Sequence, residues 1–382
     1  MLIASILFAA FVVVYVYFLY PSFVVLAAGM LPAERSAPTA ATMPSVSVVI
    51  PAHNEEPVIA AKIANCLSLE YPRDRLEIVI VSDGSTDRTV EEARRVAAAP
   101  ARIVEFAERR GKTAVLNEVI PALHGEIVVQ TDANSSLSPD ALVEIVRPFA
   151  DPSTGCVVGQ LALTNVGDPR VSAGEGLYWS YENRLKTAES RLGVLITANG
   201  GIYALRRSLF EPLPLHIAGD AADPLLIASK GYRVRFQPKA IAREKAAESL
   251  REEFNRKVRI MTQGFSAFAY VRGMLVPPRP RMAFALFSHK FLRWLLPWFL
   301  LALLAMCLAP QAPLPARIFG GLQAVFYATG ILGLLGGERV RKFRPVGVAA
   351  YFCMANAAAL LAALKVLGGR RYPTWEKSAS SR

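Results

Sequence analysis

Hydrophobic and polar positions divide the chain into three unequal parts. Residues 1–30 contain no charged side chain. A bilayer core of ~30 Å needs about 20 apolar residues in a helix, so this segment is predicted to span, with Pro21 tolerated at a kink. No Lys or Arg precedes the run, and the run exceeds the apolar stretch of a cleaved leader, so the reading is a retained anchor. Apolar sequence returns after residue 284. Leu292–Pro310 carries Arg293 as its one charge, and Ile318–Gly336 and Val346–Leu364 carry none. About three membrane segments are therefore predicted within 284–368, followed by a basic tail over 369–382.

The polar block between, residues 44–275, has the pattern of a nucleotide-binding α/β unit. Ser45–Ile50, Glu77–Val81, Arg102–Phe106 and Glu126–Gln130 are short β-branched runs, the signature of strands buried on both faces. Helical stretches lie between them, and Asn54 is placed to cap one that opens with Glu55 and Glu56. Alternation of this kind predicts a mostly parallel sheet flanked by helices, with ligands beyond the carboxyl ends of the strands.

Charge changes this picture little. The net charge is +12, but Lys and Arg gather beside the apolar segments, at Arg279, Arg281, Lys290 and Arg293, and again at Arg339, Arg341, Lys342 and Arg344. Basic clusters flanking membrane helices report topology and anionic lipid, so no nucleic-acid partner is expected. With the polar block inside, the loop 338–344 is also inside, as the positive-inside rule prefers. A fourth span then leaves the basic tail outside, against the rule. Cys66, Cys156, Cys307 and Cys353 lack metal or disulfide spacing.

No GxGxxG or GxxxxGK[ST] occurs in the block. Acids stand at strand ends instead: Asp83 after the second strand and Asp132 after the fourth. One carboxylate can accept from a base imide or ribose hydroxyls, and another can hold Mg²⁺ or Mn²⁺ bridging a diphosphate. Asp87 is read as a helix-capping acid, and Gly200 and Gly201 as a tight turn or a close backbone approach.

The runs VVIPAHNEE (48–56), VSDGSTDRT (81–89), GKTAVLN (111–117) and TDAN (131–134) resemble, in order and spacing, the motifs of family 2 glycosyltransferases. The likeness continues through NGGIYALRR (199–207), HIAGDAADPLLIASKGYR (216–233) and RKVRI (256–260). It covers nearly all of 45–270, and with its apolar flanks the chain looks like membrane-embedded bacterial polysaccharide-building members. The resemblance implies a GT-A fold plus transmembrane helices and an inverting transfer from a nucleotide sugar, a UDP-sugar, to a lipid-linked or growing glycan acceptor. It also implies an inner-membrane, multi-pass protein with its catalytic domain facing the cytoplasm, in contact with membrane lipids and with other polysaccharide-synthesis subunits as further partners.

Residue by residue, the resemblance implies that Pro51, Ala52 and Glu55 line the nucleoside pocket, Asp83 holds the base and Lys112 approaches the nucleotide. Asp132 is the first acid of the family's Asp-x-Asp metal motif. Asn134 stands where the second acid belongs, and its amide oxygen remains a cation ligand. Asp220 lies eleven residues before Gly231 of Gly-Tyr-Arg, the family's spacing for the base that deprotonates the acceptor. Asp223 is its rival, with helix capping before Pro224 as its other role. Polymerising members carry Gln-x-x-Arg-Trp where this chain has Arg256, Arg259 and Ile260. Arg259 is suited to a diphosphate, and the missing Trp argues for limited processivity. Two other readings stay open: a polyprenyl-phosphate glycosyltransferase and a catalytically silent membrane subunit.

Overall fold

A computed structural model of the protein describes residues 1–32, 43–164, 173–247, 249–275 and 279–369; the basic tail expected over 369–382 lies, beyond Gly369, outside them. The four expected strands form as β1 Val46–Ala52, β2 Leu76–Asp83, β3 Ala101–Phe106 and β4 Ile127–Gln130. All seven residues of β1 are buried, because the strand lies mid-sheet with helices over both faces. β2 and β4 flank it in parallel, from Val46↔Leu76 and Val46↔Ile127, and β3 pairs parallel to β2.

The second half of the sheet comes from β5 Ser136–Leu137, β6 Thr154–Leu163, β7 Tyr203–Arg206 and β8 Arg233–Glu244. The eight strands run in the order β3-β2-β1-β4-β7-β6-β8-β5. β7 is antiparallel to both β4 and β6, β8 is parallel to β6, and β5 is antiparallel to β8, so the sheet is mixed. This is the GT-A arrangement. The antiparallel entry of β7 sets the floor of the ligand-binding edge. Its first residue, Tyr203, pairs with Gln130 at the end of β4, which brings Gly200 and Gly201 beside Asp132.

Side chains alternate along the central strands between two cores. Val48, Ile50, Ile78 and Ile80 pack with Ile59 and Ile63 of helix Glu56–Leu67 and with Leu142 and Ile145 of helix Ala141–Val146. Val49, Val79 and Val81 pack on the opposite face with Val115 and Leu116 of helix Lys112–Val119. The period of two in the strands thus supplies both layers.

Four helices are long and apolar enough to cross a membrane: Leu2–Gly29, Pro280–Cys307, Leu314–Leu335 and Arg344–Leu367. Twenty-eight residues of helix extend about 40 Å. Phe8, Phe11, Phe23 and Leu26 of the first, and Leu314, Phe319 and Leu322 of the third, are exposed, as lipid-facing side chains are. A wide π turn, Tyr15–Leu19, ends two residues before Pro21 and accommodates the ring that a regular turn excludes. A second π turn, Phe287–Phe291, carries His289 and Lys290.

One sequence expectation fails locally. Asn54 does not cap the helix behind it. It sits at φ 54°, and its Oδ1 accepts the backbone N–H of Thr86 at 2.8 Å, tying the β1 loop to the β2 loop. Asp87 behaves as read, accepting the N–H of Thr89 at 3.0 Å where the next helix begins.

Candidate active site

The carboxyl ends of β1 and β4 open onto a cavity of 380 Å³, within the size range of small-ligand sites. Glu55, Lys112, Asp132, Asn134, Asp220 and Arg259 all line it. Pro51 and Ala52 end β1 as buried backbone and are not among its lining residues, and neither is Asp83.

Asp83 does its work one layer back. Its two oxygens accept the backbone N–H groups of Arg110 (2.6 Å) and Gly111 (2.8 Å), which anchors the loop delivering Lys112. Two glycines make that anchoring possible. Gly84 sits at φ +59°, and a Cβ there would lie 2.3 Å from the Arg109 nitrogen. Gly111, at φ 94°, turns the chain into helix Lys112–Val119.

Lys112 Nζ donates to Asp132 Oδ1 at 2.5 Å. Burial works against the lysine's charge, but Asp132 and then Asp220 outweigh it, so its pKa is raised and the ammonium is firmly held. Asp132 is positioned from below. Its N–H donates to Gly200 O (3.1 Å), and the neighbouring Thr131 hydroxyl donates to Gly201 O (2.7 Å). Thr131 also receives the buried Lys62 ammonium at 2.8 Å.

Gly200 leaves no room for a side chain, since a Cβ would stand 2.4 Å from Asp132 Oδ2. The expected close backbone approach is therefore made towards Asp132. Glu244, at the end of β8, lines the same wall and accepts from Ser135 Oγ at 2.5 Å. Burial and then the charge of Asp132 raise its pKa.

Helix Gly219–Ser229 carries both rival acids, and both line the cavity. Asp220 lies in the first turn, half-buried at the cavity wall. Loss of solvent raises its pKa, Lys112 opposes that, Asp132 adds to it, and Arg259 opposes it again. Asp223 is buried more deeply at the same wall and does not cap the helix from outside. It accepts the Tyr203 hydroxyl (2.8 Å) and the Gln130 amide (3.4 Å), and burial is the main force pushing its pKa to about 7. Gly219 preserves the space, since a Cβ there would meet Tyr203 Oη at 3.0 Å and Asp223 Oδ2 at 3.1 Å.

The cavity continues past these acids towards the membrane helices, where the sequence pattern carries no signal. Helix Ala173–Leu192 supplies Tyr178, Trp179, Glu182 and Lys186 to its wall, and helix Pro280–Cys307 supplies Lys290 and Trp294. Glu182 is buried and meets Lys290 Nζ at 2.6 Å, Arg293 Nη1 at 3.1 Å and His289 Nε2 at 3.3 Å. Burial would raise the Glu182 pKa, but these cations win and hold it well below the ordinary range. Arg293, the isolated charge of an apolar run, thus has its partner in the α/β domain. Arg256 pairs with Glu253 at 2.8 Å and lines the cavity, and Ile260 is 52% exposed there.

This fold and cavity define a class: a GT-A domain built onto helices of membrane-spanning length. Residues 47–213 match the model of Glycosyl transferase family 2. An N-acetylglucosaminyltransferase of Rhizobium meliloti (strain 1021) is 27% identical over 255 residues, 61% of this chain and 59% of that protein. A beta-monoglucosyldiacylglycerol synthase of Nostoc sp. is 28% identical over 174 residues, 44% of this chain and 37% of that protein. The chain spans about half to three-fifths of the first curated relatives it matches. The solved structure of mannosyltransferase PcManGT from Pyrobaculum calidifontis, in complex with GDP-Man and Mn²⁺, superposes with a TM-score of 0.73 at 27% identity. It covers 97% of this chain and 100% of that one. Over residues 47–213, most of the α/β domain, the chain is similar to the family 2 glycosyltransferases.

Proposed function

We propose that the protein is an inverting, metal-assisted glycosyltransferase that moves a sugar from a nucleotide sugar, a UDP-sugar, onto a lipid-linked or growing glycan acceptor. The observation that carries this reading is the convergence of Lys112, Asp132 and Asp220 on one cavity at the carboxyl edge of the sheet. Asp220, on the cavity wall, is the base that takes the proton from the acceptor hydroxyl as its oxygen attacks the anomeric carbon. Its raised pKa suits that task, because a carboxylate with reduced solvation accepts a proton more readily. Lys112 and Arg259 are the cations placed to neutralise the departing diphosphate. Pro51, Ala52, Glu55 and Asp83 belong to the nucleoside end; two lone pairs of Asp83 are taken by Arg110 and Gly111, and a carboxylate has others for a base.

The donor set tests the metal. Among the described residues no cluster of three or more His, Cys, Asp or Glu side chains is suited to a metal. Asp132 and Asn134, which both line the cavity and offer oxygen donors, are the residues that would hold a hard cation such as Mg²⁺ or Mn²⁺, with a bound diphosphate needed to complete the site. Such an ion would offset charge on the leaving group. Lys112, now on Asp132, is positioned to move to the phosphates when they arrive.

We place the protein in the inner membrane with the α/β domain facing the cytoplasm. The basic run Arg339–Arg344 between the third and fourth helices then lies on the same side as the domain. The test is a screen of nucleotide sugars for binding and turnover by the full-length protein in detergent or nanodiscs with Mn²⁺ or Mg²⁺. Turnover of a UDP-sugar is the expected result. Failure to bind any nucleotide sugar overturns the proposal.

A further inference from the structure

Lys186 is the one cavity-lining group on helix Ala173–Leu192 whose charge the described contacts leave unanswered. Its residue is 3% exposed. Its ammonium has no hydrogen bond or ion pair among the described residues, and it lies 6.0 Å from the Trp179 ring centroid. The acids nearest it are already engaged. Glu182 serves Lys290, Arg293 and His289, while Glu189 accepts the Tyr20 hydroxyl (2.8 Å) and faces His289 Nδ1 (2.7 Å). A third acid, Asp220, acts on Lys186 only at longer range and answers chiefly to Lys112 and Arg259, so no carboxylate among the described residues pairs directly with the Lys186 ammonium. A buried charge without a counter-ion is costly unless a ligand supplies one.

The position of this charge says which ligand. Lys186 follows Leu185, which with Ala188 packs its helix against Tyr20, Val24 and Ala28 of the first membrane helix. The cavity wall beside it is built by Lys290 and Trp294 of the second membrane helix. Lys186 and Asp220, the proposed base, line the same cavity. Burial lowers the lysine's pKa to about 8, with Glu182 opposing, so the ammonium persists at neutral pH.

We infer that Lys186 is the acceptor-side anion site: it binds a phosphate oxygen on the head of a phosphorylated lipid that enters the cavity from the membrane helices. This rests on the transferase reading and narrows its acceptor from any glycan to one carrying phosphate near the reacting hydroxyl or oxygen.

The test compares farnesyl phosphate with farnesol, using the full-length protein in nanodiscs and following quenching of Trp179 and Trp294. In parallel, UDP and GDP affinities are measured calorimetrically with Mn²⁺. Wild type should bind the phosphate roughly tenfold or more tightly than the alcohol. Lys186→Met should erase that preference, Lys186→Arg should keep it, and nucleotide affinity should stay the same in all three. If wild type treats phosphate and alcohol alike while binding nucleotide, or if K186M keeps the preference, the inference falls and the transferase reading stands. Loss of nucleotide affinity in K186M would assign the phosphate to the donor and likewise overturn it. Wild type that binds no nucleotide sugar overturns the transferase reading instead.

Discussion

Replacing Gly200 with alanine probes the site through one added carbon. Gly200 has no left-handed backbone, so alanine is conformationally permitted there, and the whole effect is steric. The new Cβ would stand 2.4 Å from Asp132 Oδ2 and 3.2 Å from its Cγ. Ordinary contact needs roughly 1 Å more. The backbone cannot easily yield, because Asp132 N–H donates to Gly200 O at 3.1 Å and Thr131 is bonded to Gly201 O. The carboxylate must therefore rotate or slide, and its 2.5 Å contact with Lys112 is disturbed. A displacement of that size at a positioned reactive group costs about 10²-fold in rate, whereas the strain on folding is on the order of 1 kcal/mol. Steady-state turnover of the nucleotide sugar with a Mn²⁺ titration is the assay. G200A should lose one to two orders of magnitude in kcat/KM and require more Mn²⁺, with little change in Tm. Gly201→Ala is the contrast, since its Cβ meets Leu161 at 2.9 Å, Glu244 at 3.1 Å and Asn199 at 3.3 Å; it should cost stability at least as much as activity. Folded G200A within about threefold of wild type, at unchanged Mn²⁺ dependence, would refute the role given to Asp132.

Buried charge sets two further outcomes. The Asp223 carboxyl titrates at about 7 in the folded protein against 3.8 for an ordinary aspartate. The folded state therefore binds this proton more tightly than the unfolded chain, and stability falls as pH rises from about 4 to about 7. Asp223→Asn stays neutral, so it should match wild type near pH 4.5 and exceed it at pH 8 by on the order of 2–4 kcal/mol; a pH series of denaturation curves decides, and a pH-independent difference contradicts the assignment. Glu182→Gln removes the partner of Lys290 and Arg293, which should cost on the order of 3 kcal/mol and lower Tm in detergent. An unchanged Tm would mean the cluster does not join the domain to its membrane helix.

The features legible in the sequence were those that depend on near neighbours. β1 to β4 are β-branched runs because their positions are buried on both faces, and such runs stand out in any register. The four apolar helices were equally plain. The mixed second half of the sheet was not, since β7 is four residues long and its place is set by pairing with β4, some 75 residues earlier. Asn54 misled because its partner, Thr86, lies across the loop rather than along the helix. Asp83 stands out as an acid at a strand end, yet its partners are backbone N–H groups 27 and 28 residues on, which no side-chain pattern advertises. Glu182 and Lys186 gave no signal at all. Their helix meets His289, Lys290 and Arg293 only after the chain has folded over 100 residues or more. Gly200 and Gly201 were read as permitting close approach, and the structure supplies the object of that approach, the Asp132 carboxylate.

The proposed transfer gives Asp220 the role of the base. The most direct measurement is nucleoside diphosphate release from a nucleotide sugar by purified full-length protein with Mn²⁺ and membrane lipid extract, comparing wild type with Asp220→Asn. D220N should bind the donor as wild type does and lose turnover by about 10²–10⁴-fold, the contribution of a general base. D220N turning over at the wild-type rate would contradict that role.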